Sequence, residues 1–253
     1  FVVMAPTRIG YAETYGDFDP ENNGGCASPR IEPMSIAASD QVLATVAFAK
    51  TLPYVDASRW LVGGISVGGL TSVATVGRNP PGLLGGINFA GGTGGNPETQ
   101  PGRPCSPNAI ATYWGGLAKS AKVPMLWLYW QNDKYWGEDI PKKWHQAWVD
   151  GGGHADLTSF PPAGEDGHGG INTDMDHWLP VVDAFLGQLG FDKPAIVGKP
   201  PASHFADITD ASKVPISAKS QTTAYAKFLD AKLPRAFAVG NKGGWGYAIG
   251  DYA

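Results

Sequence analysis

Apolar residues along this chain fall into short continuous runs, separated by stretches with helical spacing. FVVMAP (1–6), RWLVGGI (59–65), LLGGINFAG (83–91), VPMLWLYW (123–130) and HADLTSF (154–160) are the strand-like segments. Runs with little polar alternation suit strands buried on both faces of a parallel sheet. Between them, SIAASDQVLATVAFAKTLP (35–53) sets Ile36, Val42, Leu43, Val46 and Ala47 near one helical stripe and ends at Pro53. Further helices are predicted from the serine turn to about Val76, over AIATYWGGLAKSA (109–121) and over IPKKWHQAWVDGGG (140–153), where Pro141 suits a first turn. Another is predicted over DMDHWLPVVDAFLGQLGF (174–191), where Pro180 is tolerable only near the start. Buried strands alternating with helices predict an α/β fold with a parallel sheet covered by helices.

The pattern changes near residue 191. FDKPAIVGKPP (191–201) reads as a linker, SAKSQTTAYAKFLDAK (217–232) as a helix, and RAFAVGNKGGWGYAIG (235–250) as a hairpin turning at Asn241 to Gly244. The expected organisation is a main domain over 1–190, a linker over 191–201 and a small αββ extension over 202–253.

Composition narrows the class. A net charge of −4 without a basic block gives no sign of a nucleic-acid partner. No apolar run reaches the roughly 18 residues of a membrane span. With 35 Gly and 21 Pro, the chain has room for long loops, and two of these, 7–33 and 92–108, hold its two cysteines, Cys26 and Cys105. Free cysteines prefer buried positions, so a pair in Gly/Pro/Asn-rich loops reads as a disulfide, which implies a secreted or periplasmic location.

The chemistry starts at Ser66, between Gly64 and Gly68, where a strand hands over to a helix. One reading makes Ser66 a helix N-cap. The other makes it the nucleophile of a strained strand–turn–helix elbow, with side chains at Gly64 or Gly68 excluded by collision. A serine hydroxyl needs a base and a group to orient that base. Asp133 follows the strand 123–130, and His168 follows the strand 154–160, giving the chain order Ser66, Asp133, His168. The other candidates are weaker. His154 precedes its strand, His145 and His177 lie on helices, and His204 lies beyond the linker. Asp139 is the fallback acid, and Asp166 is placed to hydrogen-bond its own loop. Asp166, His168, Asp174 and His177 follow no familiar metal-ligand spacing, so no metal is expected.

The segments GGISVGG (63–69), LYWQNDKYW (128–136) and PPAGEDGHGG (161–170) resemble the α/β-hydrolases of the dienelactone hydrolase-like group, over about residues 1–190. Dienelactone hydrolase itself uses a cysteine where this chain has Ser66, so the resemblance implies a serine esterase. It implies an acyl-enzyme formed by Ser66, His168 and Asp133, an oxyanion donor at the Val67 N–H, and no cofactor. The substrate is a small-molecule or polymer ester, with Tyr11, Tyr135 and Trp136 as candidate substrate contacts. A serine peptidase of the same fold and a catalytically silent binding protein are the alternatives. FVVMAP resembles the strand after the oxyanion-hole segment in this fold, so a further N-terminal segment is expected to complete both the sheet and the oxyanion hole.

Overall fold

The structure, a computed structural model, describes residues 2–10, 14, 22–191, 207–231, 235–240 and 244–249. The chain divides into two compact units, Phe1–Gly198 and Lys199–Ala253.

The first unit runs α1 (Ile31–Ala49), β1 (Trp60–Ile65), α2 (Val67–Gly77), β2 (Leu83–Phe89), α3 (Pro107–Ala118), β3 (Met125–Trp130), α4 (Asp139–Asp150), β4 (Ala155–Phe160), a 3-10 turn (Gly167–Gly169), α5 (Gly170–Thr173) and α6 (Met175–Gln188). The four strands are all parallel, in the order β1-β2-β3-β4. All strands therefore end at one edge, and the turns that follow them meet there.

β3 explains why the runs are apolar throughout. All six of its residues are buried. Met125, Trp127 and Tyr129 enter a core with Leu70, Val73, Trp114, Trp144 and Trp148, while Leu126, Leu128 and Trp130 enter a second core with Ile87, Phe89, Phe160 and Phe185. The alternation of side chains across a strand thus feeds two apolar layers, one on each face. Trp114 meets Trp127 and Trp144 edge-on at 5.0 and 5.3 Å between centroids. Such aromatic pairs add about 1 kcal/mol each beyond area burial.

Three expectations change. Residues 2–7 form no strand, and Val3 is 87% exposed. An apolar β-branched run becomes a strand only when a ladder partner takes its backbone groups, and these residues have no such pairing among the described residues. In α1 the buried stripe is Ile31, Met34, Ser35, Ala38 and Ser39, with Ile36 exposed. α1 packs on α2 and α3 through these smaller residues, and a helix apolar nearly all round does not reveal beforehand which stripe faces inward. Pro180 lies in the second turn of α6 rather than the first.

Cys26 and Cys105 form a disulfide with Cα atoms 5.0 Å apart, closing 79 residues. On the loop-entropy account this cross-link stabilises the fold by about 4 kcal/mol. Reduction, or Cys26→Ser with Cys105→Ser, is expected to lower the urea midpoint of unfolding by roughly 1–2 M. An unchanged midpoint in reductant would show that the cross-link does not constrain the unfolded chain.

In the second unit, α7 (Ala218–Ser220), a π turn (Gln221–Tyr225) and α8 (Ala226–Asp230) are followed by the antiparallel pair β5 (Arg235–Val239) and β6 (Trp245–Ile249). Phe237 packs edge-on against Tyr225 at 4.9 Å and lies parallel to Trp245 and Tyr247. The hairpin predicted from the sequence is present, although Asn241 to Gly243 of its turn lie outside the described residues.

Candidate active site

Ser66 occupies the single residue between β1 and α2, with φ 57° and ψ −121°. Positive φ is strained for a residue with a Cβ and costs about 1–3 kcal/mol unless neighbours fix it. Here they do. The Ser66 N–H donates to the Phe89 carbonyl at 2.9 Å, and the Ser66 carbonyl accepts from Leu70 N–H at 3.0 Å and from Gly92 N–H at 3.2 Å. The Ser66 hydroxyl makes no capping bond to α2, so the N-cap reading fails. The first helical bond belongs to Leu70, which leaves the N–H groups of Val67, Gly68 and Gly69 outside the ladder at the positive end of the helix.

The glycine frame is only partly as expected. A Cβ on Gly64 would lie 2.5 Å from the Gly68 backbone, so Gly64 is required by close approach. A Cβ on Gly68 would meet nothing within 4 Å, which corrects the expected collision there. The tight position is Gly69, whose Cβ would lie 2.3 Å from Asn88 Oδ1 and 2.6 Å from Gly91 Cα.

Asp133 follows β3 and is 2% exposed. Its Oδ1 accepts from the N–H groups of Tyr135 (2.7 Å) and Trp136 (3.1 Å), and its Oδ2 lies 3.0 Å from His168 Nδ1. A carboxylate only accepts, so Nδ1 carries a proton, and in the neutral imidazole this leaves Nε2 with the lone pair. Two amide bonds and the imidazole satisfy a buried group that would otherwise be costly.

His168 is held from several sides. Asp166 Oδ1 accepts from its N–H (3.0 Å) and from Lys134 N–H (2.9 Å), so one carboxylate ties the acid turn to the histidine turn. Asn132 bonds the Ala163 and Gly164 carbonyls through Nδ2 and the Ala163 N–H through Oδ1. Gly167 and Gly170 make room for Trp130, since a Cβ on Gly167 would lie 2.6 Å from Trp130 Cβ and one on Gly170 2.2 Å from its indole. Trp130 Nε1 donates to Asp174, which also pairs with His177. Burial opposes the charge of Asp174, yet the bonds from Trp130 and His177 together hold its carboxyl below the ordinary range.

Ser66, Asp133 and His168 thus all stand at the carboxyl edge of the sheet, after β1, β3 and β4. Asp133 and His168 are in contact, whereas no hydrogen bond joins Ser66 to His168 among the described residues. Trp136 lies between the two halves. Its Nε1 donates to the Ala90 carbonyl at 2.7 Å, its ring abuts Gly92, and its centroid is 5.5 Å from the His168 ring. At 1% exposure Trp136 is a buried strut beneath the site rather than an open contact surface. Tyr135 is half-buried against His168, and Tyr11 lies outside the described residues.

The alternative histidines and acids separate by position. The His154 carbonyl accepts from Met125 N–H at the amino edge of the sheet. His145 Nε2 bonds the Ala155 carbonyl, and Asp139 is 81% exposed and paired with Lys142. His204 lies outside the described residues. Asn88 and Tyr129 were not singled out from the sequence. Asn88 Nδ2 donates to the Tyr129 hydroxyl, which donates to the Gly91 carbonyl at 2.7 Å beside the Ser66 turn. Burial drives the Tyr129 phenol well above its ordinary value, keeping it a donor. The available signal was an asparagine in the buried strand run GGINF.

The four-stranded parallel sheet flanked by helices is an α/β fold, and Ser66 at positive φ, Asp133 and His168 follow its strands in that chain order. No family model and no curated protein matches the chain. Among solved structures it is similar to a protein assigned as a dienelactone hydrolase from Klebsiella pneumoniae, at 17% identity and TM-score 0.47, covering 62% of this chain and 61% of that one. It is also similar to a dipeptidyl peptidase 4 from Porphyromonas gingivalis, at 19% identity and TM-score 0.45, covering 63% of this chain and 23% of that one. A third is a protein assigned as a CIB-like hydrolase from Thermoplasma acidophilum, at 14% identity and TM-score 0.45, covering 61% of this chain and 60% of that one. The chain therefore spans 61% and 23% of the length of the first two, and at these scores the likenesses say nothing about activity.

Proposed function

We propose that this chain is a serine hydrolase that cleaves carboxylic esters through an acyl-enzyme. The observation that carries this reading is the Asp133–His168 pair, 3.0 Å apart at the same sheet edge as the strained Ser66 turn. His168 Nε2 takes the Ser66 proton as Oγ attacks the ester carbonyl. Asp133 holds the Nδ1–H tautomer and stabilises the imidazolium that forms. The Val67 N–H donates to the oxyanion. The imidazolium then protonates the departing alcohol, and water attacks the acyl-enzyme with His168 again as base. Because neutral imidazole is the base, activity falls toward acid pH. This chemistry needs no metal or cofactor. The disulfide supports a secreted or periplasmic location, and no helix among the described residues is long and apolar enough to cross a membrane.

The test is a side-by-side assay on p-nitrophenyl esters and peptide anilides. The esters should be turned over and the anilides should not, and preferential anilide cleavage would move the assignment to a peptidase.

A further inference from the structure

We propose that Tyr135 is a positioning residue for His168: its ring backs the imidazole so that Nε2 stays aimed at Ser66, and it does not serve as a substrate contact. This rests on the assignment of His168 as the base. The Asp133–His168 bond fixes one edge of the imidazole, but a single in-plane bond leaves the ring free to rock about that contact. Its face needs a support. The Tyr135 ring supplies one, with centroids 4.1 Å apart and planes inclined by 31°. Trp136 closes a second side edge-on at 5.5 Å and 71°.

Tyr135 is itself fixed by the group it assists. Its N–H donates to Asp133 Oδ1, so one short turn delivers both the carboxylate and the ring to the same imidazole. Gly95 lies close against both aromatic residues, since an added Cβ there would lie 2.9 Å from Tyr135 Cβ and Cδ1 and 2.9 Å from Trp136 Cζ3. The same loop is tied to the acid turn by Gly102 N–H bonding the Lys134 carbonyl at 2.7 Å, and to the rest of the fold through Cys105. The phenol hydroxyl has no hydrogen bond among the described residues, so the aromatic ring carries the role. Among the described residues the charged groups bonded to His168 are Asp133 on its Nδ1 and Asp166 on its N–H. When His168 takes the Ser66 proton, the face of the Tyr135 ring also favours the resulting cation.

The test measures kcat and KM on a p-nitrophenyl ester for Tyr135→Phe, Tyr135→Leu and Gly95→Ala, together with the His168 Nδ1–H proton resonance of each resting protein. Tyr135→Leu should lower kcat by about 10- to 100-fold, the scale of a displaced catalytic group, with KM nearly unchanged. Its Nδ1–H signal should broaden. Tyr135→Phe should keep both the rate and the signal. Gly95→Ala, which crowds Tyr135 and Trp136 without removing either, should lower kcat in the same way, and if the leucine variant does not fold it is read together with Tyr135→Phe, which must keep the rate. A rise in KM with kcat retained would instead make Tyr135 a substrate contact. Equal losses in the phenylalanine and leucine variants would assign the role to the hydroxyl. Either result, or no change in all three variants, overturns the proposal. The resonance is read without turnover, so it separates failure of the stacking from failure of the esterase assignment, which would show as full activity in Ser66→Ala.

Discussion

Ser66→Ala is expected to lower kcat for ester hydrolysis by about 10⁴-fold or more, leaving only the residual rate that binding and oxyanion donors sustain. The loss is confined to chemistry because the hydroxyl makes no capping bond to the helix it precedes. Ser66 holds its place through backbone contacts to Phe89, Leu70 and Gly92, and alanine keeps all of them. The strained φ is shared by both residues, so the thermal midpoint should barely move. A variant that keeps most of the wild-type rate would remove Ser66 from the reaction, and a collapse in stability would reassign it to folding.

Asp133→Asn is expected to cost about as much, roughly 10⁴-fold in kcat, though the shape of the site survives. The asparagine oxygen can take over the bonds from the Tyr135 and Trp136 amides. That leaves the NH₂ group facing His168 Nδ1 where a carboxylate oxygen stood. A donor there forces Nδ1 to accept, moves the proton to Nε2, and removes the lone pair that must take the Ser66 proton. His168→Ala should fall in the same range, and the double variant should be little worse than either single one, since the residues act as a unit. Additive losses measured by steady-state kinetics would mean that Asp133 and His168 contribute separately.

The parts of the candidate site that are legible in the sequence are those governed by local rules. A serine between a strand and a helix is visible because the periodicity changes around it, and Asp133 and His168 are visible as polar residues at strand exits. What stayed hidden depends on contacts between distant segments. Gly69, rather than Gly68, is the crowded position, and that follows from where Asn88 and Gly91 lie on and just beyond a neighbouring strand. Trp136 reads as a wall residue from its place beside Asp133, yet its indole turns inward to the Ala90 carbonyl. The apolar run at residues 2–7 carries strand propensity, but propensity without a ladder partner does not make a strand. Gly167 and Gly170 look like loop composition until Trp130 is seen filling the space beside them.

Whether Ser66 is a nucleophile activated by the Asp133–His168 pair is tested most directly by treating the protein with a fluorophosphonate and mapping the adduct by peptide mass spectrometry. The expected result is one phosphonylated residue, Ser66, with labelling abolished in Ser66→Ala and strongly slowed in His168→Ala. Ester hydrolysis that continues while Ser66 stays unmodified, or an adduct on another residue that accompanies loss of activity, would contradict it.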